Sequence, residues 1–263
     1  MKLSFIMQTY LGDYPGSREN SVDKFHRAVK SVMNQQKANW ELIIVSDGCK
    51  LTKDIYYEHY ENVDNIKFAY VEKKISTLMY SDKKDKIYYR GLPRQVGKVM
   101  STGDWVGYMD SDDFLVKDAT VKLEDFLSKI QDYNKITGKN VNFLFNNQII
   151  EHENYLPIIQ MTYKKHGLVP GIPMIDGEPF EIEGLPDKWI VSKNYKTFGM
   201  GTVWMWHTND FNGAKWEDIK SENTSEDMLF ANKVLESPEL KKRVGMMEVA
   251  YYVRCHHSKL WDV

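Results

Sequence analysis

Apolar runs alternate with amphipathic stretches along the first 115 residues of the chain. Each run is short and rich in β-branched or aromatic residues, which predicts buried strands at 3–9, 41–46, 67–71 and 105–109. Between them, apolar positions that recur at helical spacing predict helices at 22–36, 51–60 and 94–101. Strands and helices that alternate in this way favour a parallel sheet covered by helices on both faces.

The pattern becomes less regular after residue 115. It predicts a helix at 117–130, a strand at 141–150, a helix that opens at Ser225 and a last strand at 249–253. The stretch 170–186 contains four prolines and three glycines, which suits either an ordered irregular loop or a mobile lid. No flexible linker, low-complexity tract or internal repeat interrupts the sequence, so we expect one continuous domain over residues 1–263.

Composition narrows the class of protein without identifying it. Hydrophobic residues make up 42% and charged residues 27% of the chain, as in ordinary globular proteins. No apolar run reaches the roughly 18 residues of a membrane-spanning helix. The two cysteines, Cys49 and Cys255, lack the spacing of a zinc site. We therefore expect a cytoplasmic protein without a transmembrane segment, and the net charge of −2 gives no general attraction to nucleic acid.

Three of the predicted strands end in polar residues, at 9–10, 47–48 and 110–113. Ligands of parallel sheets bind at the carboxyl ends of the strands, so these segments are candidates for one site. The last segment holds three carboxylates, which repel one another unless a cation joins them. Alternation along an extended chain would direct Asp110 and Asp112 to the same divalent metal. A solvated turn in which Asp112 or Asp113 caps the next helix explains the cluster equally well.

Three segments, in this order, resemble the signatures of family 2 glycosyltransferases with the GT-A fold. They are LSFIMQTY (3–10), IIVSDGC (43–49) and GLPRQVGKVMSTGDWVGYMDSDDFL (91–115). The resemblance implies a Rossmann-like α/β fold with a mostly parallel central sheet flanked by helices. Residues 1–115 would bind the nucleotide-sugar donor, and residues 116–263 would hold the acceptor and the catalytic base. The sequence departs from the family at Met7-Gln8, where Ile-Pro is usual, and at Gln95, where Asn is usual.

The same resemblance assigns donor-side roles. Thr9 and Tyr10 match positions that line the base and ribose of the nucleotide, and Asp47 matches the acid that hydrogen-bonds the base. A uracil edge would suit Asp47, so the resemblance favours a UDP-sugar.

The diphosphate side is assigned in the same way. Arg94 matches the basic residue near the diphosphate, and Asp110 and Asp112 match the D-x-D motif of the family. Asp112 corresponds to the more direct ligand of the metal, manganese or magnesium. Either His256 or its neighbour His257 suits a late metal ligand, with His256 preferred, or both are ordinary surface histidines.

Asp227 matches the general base of inverting members, which takes the proton of the acceptor hydroxyl. Glu226 precedes it and is a weaker candidate for contact with the acceptor. The segment 225–228 also has the composition of a simple helix N-terminus, with Ser225 as the cap and acids in the first turn.

Aromatic residues are frequent in the second half, where five of the seven tryptophans lie past residue 150. Trp204 and Trp206 share a face if 197–207 is a strand, and aromatic faces suit the apolar faces of sugar rings. We expect at least one of them to contact a sugar, although core packing explains most tryptophans of this kind.

Together these features predict a metal-dependent, inverting hexosyl- or pentosyltransferase that moves a sugar from a nucleotide-sugar to a hydroxyl of a saccharide or other glycan. An alternative comes from the segment 73–98, which holds eight basic and two acidic residues with interleaved tyrosines. This segment is either a solvated loop or a nucleic-acid contact, and the latter would suit a glycosyltransferase that acts on a modified base in DNA. A phosphohydrolase is disfavoured, because the first strand ends in Gln8-Thr9-Tyr10 rather than in a D-x-D.

Overall fold

The computed structural model describes residues 1–12, 20–36, 39–72, 91–151, 158–160, 204–207 and 237–255 of the 263-residue chain. The stretch 170–186, the helix predicted to open at Ser225 and residues 73–90 of the basic segment lie outside these residues.

The first part of the chain forms the parallel sheet that the apolar runs predict. Its strands are β1 (Leu3–Thr9), β2 (Trp40–Asp47), β3 (Ile66–Val71) and β4 (Trp105–Asp110), each within one residue of its predicted bounds. They lie in the order β3-β2-β1-β4, and every neighbouring pair is parallel. The helices between them are α1 (Ser21–Met33), α2 (Lys50–His59) and α3 (Leu92–Met100). β1 and β2 are buried almost throughout, which explains their continuous apolar sequence.

The second part extends the same sheet with strands of mixed direction. Its elements are β5 (Phe114–Leu115), α4 (Ala119–Thr137), β6 (Phe143–Glu151), β7 (Ile158–Gln160), β8 (Trp204–His207), α5 (Pro238–Lys241) and β9 (Val244–Cys255). The order continues from β4 through β8, β6 and β9 to β5, and β7 pairs with β6. β8 is antiparallel to both β4 and β6, whereas β9 is parallel to β6. One sheet therefore runs through both parts of the chain.

Several boundaries differ from the predicted ones. The helix predicted at 22–36 ends at Met33, and the one predicted at 117–130 continues to Thr137. Gly138 adopts a left-handed conformation with φ 68°, which ends that helix by a common glycine stop. β9 is longer than the predicted 249–253, since it pairs with β6 over most of its length. None of the described helices combines the length and apolar character needed to span a membrane.

Glu41 connects the amino ends of the parallel strands. Its carboxylate is buried on β2 and accepts hydrogen bonds from the Ser4 hydroxyl at 2.6 Å and from the Thr102 backbone N–H at 2.6 Å. The ammonium groups of Lys67 and Lys2 lie 2.8 and 3.1 Å from its Oε2. Burial alone raises the pKa of the Glu41 carboxyl, but these hydrogen bonds outweigh it and lower the pKa to about 2. The charged form of Glu41 therefore stabilises the fold, at the edge opposite to the strand ends singled out above.

We expect Glu41→Gln to lower the free energy of unfolding at pH 7 by about 3 kcal/mol, the equivalent of a pKa shift from 4.5 to about 2. The folded-state pKa is depressed, so this stabilisation is present above pH 4.5 and is lost as the pH falls towards 2. Urea unfolding of wild type and Glu41→Gln at pH 7 and at pH 2.5 measures this contribution to the free energy of unfolding. The difference between wild type and variant should shrink at the lower pH, whereas Glu58→Gln, on an exposed face of α2, should have little effect at either pH. An equal difference at both pH values would contradict the assignment.

Candidate active site

The predicted polar strand ends converge at one edge of the sheet. β2, β1 and β4 are neighbours, and Thr9 pairs in register with Ser46 while Gln8 pairs with Asp110. Asp47 is the last residue of β2, one position beyond Ser46. Thr9, Asp47 and Asp110 thus lie at the carboxyl ends of three adjacent parallel strands, the position at which such sheets bind ligands.

A tight turn brings the three acids of 110–113 together. β4 ends at Asp110, and the backbone N–H of Asp113 donates to the carbonyl of Asp110 at 3.3 Å. Carboxylate oxygens of Asp110, Asp112 and Asp113 lie within 4.8 Å of one another. The predicted convergence of Asp110 and Asp112 is therefore present, but a turn produces it rather than the alternation of an extended strand. The helix-cap alternative is wrong, because the next helix begins at Ala119 and has Asp118 at its N-cap position.

The composition of this cluster suits a hard divalent cation. All its side-chain donors are carboxylate oxygens, the ligand type that magnesium and manganese prefer. Asp113 is almost fully buried, with 1% of its surface exposed, while Asp110 and Asp112 are partly exposed. Asp110 and Asp112 are therefore in contact with solvent, whereas Asp113 is enclosed by the protein. Sequence reasoning gave Asp113 no metal role, although its place as the third acid of the group was a usable signal.

Arg94 provides positive charge beside the cluster. It lies in the first turn of α3, is 2% exposed, and its Nη2 is 3.7 Å from Oδ1 of Asp110. Gly97, one turn later in α3, allows the helix to pack closely on β1, since a Cβ at this position would lie 2.3 Å from Cγ2 of Ile6. The helix therefore packs directly on the strand whose end forms the site, which holds Arg94 next to Asp110. The role of Arg94 beside a diphosphate stays a prediction.

Asp47 is held at the end of β2 by the turn that follows it. Gly48 has φ 69°, a conformation that favours glycine. The Ser46 hydroxyl accepts the N–H of Cys49 at 3.2 Å and donates to the Cys49 carbonyl at 3.0 Å. These contacts fix the turn and hold the buried Asp47 at the edge of the sheet.

The end of β1 presents a buried hydroxyl. Thr9 is 1% exposed, and its Oγ1 has no hydrogen-bond partner among the described residues. Leaving a buried polar atom unsatisfied costs about 1–3 kcal/mol, so a ligand atom that pairs with it would gain stability. The next residue is Tyr10, whose ring packs closely against Gly12. A Cβ at position 12 would lie 2.9 Å from Cε1 of this ring.

The other predicted site residues lie in the second half of the chain. Glu226, Asp227, His256 and His257 lie outside the described residues. Trp204 and Trp206 both belong to β8, two positions apart in the sequence. Trp206 pairs with Val106 of β4, and β8 runs antiparallel to β4. Trp204 therefore lies further than Trp206 towards the end of β4 that carries Asp110.

The chain has relatives among bacterial glycosyltransferases. No family model matches it. Over 141 residues it is 30% identical to the poly(ribitol-phosphate) beta-N-acetylglucosaminyltransferase TarP of Staphylococcus aureus (strain N315), a match that covers 52% of this chain and 36% of that protein. Neither the sequence relative nor the structural neighbours below point to a DNA acceptor.

Solved structures of Staphylococcus aureus TarS share the fold. The crystal structure of one TarS fragment matches 97% of this chain and 60% of the fragment, with a TM-score of 0.52 at 18% identity. The same fragment in complex with UDP-GlcNAc matches with a TM-score of 0.53, again at 18% identity, over 99% of this chain and 60% of the other. The matched region spans less than two thirds of each of these proteins. The sequence relative is a glycosyltransferase, and the chain shares the GT-A fold of TarS, so both comparisons agree with the resemblance of the ordered motifs to family 2 glycosyltransferases.

Proposed function

We propose that this chain is a metal-dependent, inverting glycosyltransferase whose donor is a UDP-sugar bound at the carboxyl ends of β1, β2 and β4. The observation that carries the proposal is the cluster of three carboxylates in the turn 110–113, with Arg94 beside it. A cluster of this kind suits a cation that also binds phosphate oxygens. TarP is named as a beta-N-acetylglucosaminyltransferase and TarS has been solved with UDP-GlcNAc, which supports UDP-GlcNAc as the first donor to test.

The donor half of the site has a residue for each part of the donor. Asp110, Asp112 and Asp113 would hold manganese or magnesium, which when bound supplies positive charge against the leaving diphosphate. Arg94 adds a second positive charge on the same side. Thr9, Tyr10 and Asp47 would contact the nucleoside. The buried hydroxyl of Thr9 and the buried carboxylate of Asp47 support this part of the proposal.

The acceptor half rests on the sequence resemblance. The acceptor hydroxyl attacks the anomeric carbon, the bond from that carbon to the diphosphate breaks, and the carboxylate of Asp227 takes the proton. Glu226 and Trp204 are proposed contacts of the acceptor or the sugar, and His256 is a proposed further metal ligand.

The proposed organisation is a donor half at 1–115 and an acceptor half at 116–263. The low cysteine content favours a cytoplasmic location.

The acceptor is proposed to be a hydroxyl-bearing glycan. The name of TarP makes poly(ribitol phosphate) the first polymer to test. A hydroxyl-rich polymer of this kind gives the base a neutral nucleophile to deprotonate, as the proposed mechanism requires.

Incubation of the protein with UDP-GlcNAc tests the activity directly. In the presence of manganese and poly(ribitol phosphate), we expect UDP release and a matching mass increase of the polymer, and EDTA should remove both. UDP-glucose and UDP-galactose, run in parallel, report donor choice. Release of inorganic phosphate without transfer of the sugar would favour a phosphohydrolase and would contradict the proposal.

A further inference from the structure

We propose that Arg27 on α1 is a positioning residue for the acidic turn 110–113 and sets its affinity for the divalent cation. This inference rests on the proposed function, because it concerns how the carboxylates of the proposed metal site are held. The side chain of Arg27 contacts the main chain of the turn. Arg27 lies on α1, a helix that is not part of the family motifs.

Arg27 is the first of three polar residues spaced along α1 and the segment just after it, which ends in Gln35 two residues beyond the last helical residue, Met33. Ser31 and Gln35 follow at intervals of four residues, so Arg27 and Ser31 lie on one side of the helix and Gln35 comes just after its end. All three are buried, Arg27 with 7% of its surface exposed, Ser31 with none and Gln35 with 8%. Burial of three polar side chains in a row is costly unless each is hydrogen-bonded.

Each residue of the row is bonded to the chain segment that follows β4. Nη2 of Arg27 donates to the main-chain carbonyl of Asp112 at 3.0 Å. The hydroxyl of Ser31 accepts the N–H of Leu115 at 3.0 Å. Gln35 reaches the next positions, where its Nε2 donates to the carbonyl of Val116 at 2.9 Å and its Oε1 accepts the N–H of Thr120 at 3.0 Å. The row therefore holds the segment 112–120 at successive points.

Among the residues of the row, Arg27 is the one bonded to the acidic turn itself. Its guanidinium also lies over the ring of Phe114, with 4.6 Å from Cζ to the ring centroid. The hydrogen bond and the ring contact together fix both the position and the plane of the guanidinium. Because the bond ends on the peptide of Asp112, it orients the backbone from which the Asp112 carboxylate projects.

Loss of the hydrogen bond from Arg27 to Asp112 should lower the affinity for the cation while the fold remains stable. Arg27→Met keeps a long apolar side chain for the Phe114 ring but removes the donor to Asp112. Ser31 and Gln35 would still hold positions 115–120, so the segment stays attached while the turn that carries the carboxylates loosens. Residues that orient metal ligands from outside the ligand set change metal affinity by about 10- to 100-fold when removed. Arg27→Lys restores a charged donor without the planar stacking and should fall between wild type and Arg27→Met.

Manganese binding, followed by electron paramagnetic resonance at saturating UDP, tests the inference. The dissociation constant for manganese should rise about tenfold or more in Arg27→Met and less in Arg27→Lys. Lys30→Met, which removes one exposed positive charge from the same helix, should match wild type. Hydrogen–deuterium exchange at amides 112–116 should accelerate in Arg27→Met and remain unchanged in Lys30→Met.

The outcomes separate this inference from the proposed function. If wild type binds manganese and Arg27→Met binds it equally well, the positioning role of Arg27 is overturned while the metal site stands. A fall in thermal stability alone, with unchanged manganese affinity below the melting temperature, would also overturn it by reducing Arg27 to a structural role. If wild type binds no manganese, the proposed metal site fails and the inference fails with it.

Discussion

Asp112→Asn is expected to abolish manganese-dependent binding of the donor and to lower kcat/KM by about three orders of magnitude. Asparagine has nearly the same shape as aspartate but lacks its charge, so the turn 110–113 should persist while the cluster loses one of its three carboxylates. Metal-ion stabilisation of a leaving diphosphate is worth several kcal/mol, and each 1.36 kcal/mol corresponds to about a tenfold change in rate. Isothermal titration of UDP with and without manganese, together with UDP release from UDP-GlcNAc, measures both effects.

Asp125→Asn is a suitable control for this experiment. Asp125 is an exposed residue of α4 paired with Lys129, so Asp125→Asn removes one negative charge at a position away from the acidic turn. Exposed pairs of this kind contribute little to stability. Manganese-dependent UDP binding by Asp112→Asn at wild-type affinity would remove Asp112 from the metal site.

Asp227→Asn is expected to leave UDP and manganese binding intact and to slow sugar transfer by about 10²- to 10⁴-fold, the usual contribution of a general base. The substitution separates the two explanations of the segment 225–228. Asparagine caps a helix about as well as aspartate, so a residue needed only for local helix structure should tolerate it. A residue needed to accept a proton should not, since the amide has no basic carboxylate. Single-turnover transfer, measured alongside equilibrium binding of UDP, distinguishes the two roles.

Transfer at the wild-type rate by Asp227→Asn would show that another group takes the acceptor proton. Glu226→Gln is the informative companion, because Glu226 is the neighbouring carboxylate and would then be the first alternative. A parallel loss of UDP binding and transfer in Asp227→Asn would instead indicate disruption of the fold.

The location of the candidate site was predictable because its sequence signals are local. Residues 3–9, 40–47 and 105–110 are apolar enough to specify buried parallel strands, and the geometry of parallel sheets then brings their carboxyl ends to one edge. Thr9, Asp47 and Asp110 were found in this way, from short stretches read one at a time. The segment 91–97, which contains Arg94 and Gly97, was likewise visible as part of a motif. The need for glycine at position 97, which is its close packing against Ile6, became apparent only in the folded structure.

The geometry within the site was not predictable by the same means. The turn that gathers the three carboxylates depends on a hydrogen bond between Asp113 and Asp110, and extended-strand alternation predicted a different route to the same convergence. β5 has two residues, too few to show a period, and it forms because β9 pairs with it. Arg27 contacts Asp112 across 85 positions of sequence, so no local pattern indicates its role. Apolar periodicity describes the apolar face of α1 and gives no information on the buried polar row that begins at Arg27.

The central claim is that the carboxyl ends of β1, β2 and β4 form a metal-dependent site for a uridine nucleotide. A thermal-shift panel of UDP, GDP, CDP, ADP and TDP, each with manganese and with EDTA, tests it most directly. A ligand present at 100 times its dissociation constant stabilises the folded state by about 2.7 kcal/mol, enough for a clear rise in melting temperature. We predict a rise with UDP and manganese that EDTA removes and that Asp112→Asn lacks. The absence of a shift with every nucleotide, with or without manganese, would contradict the account.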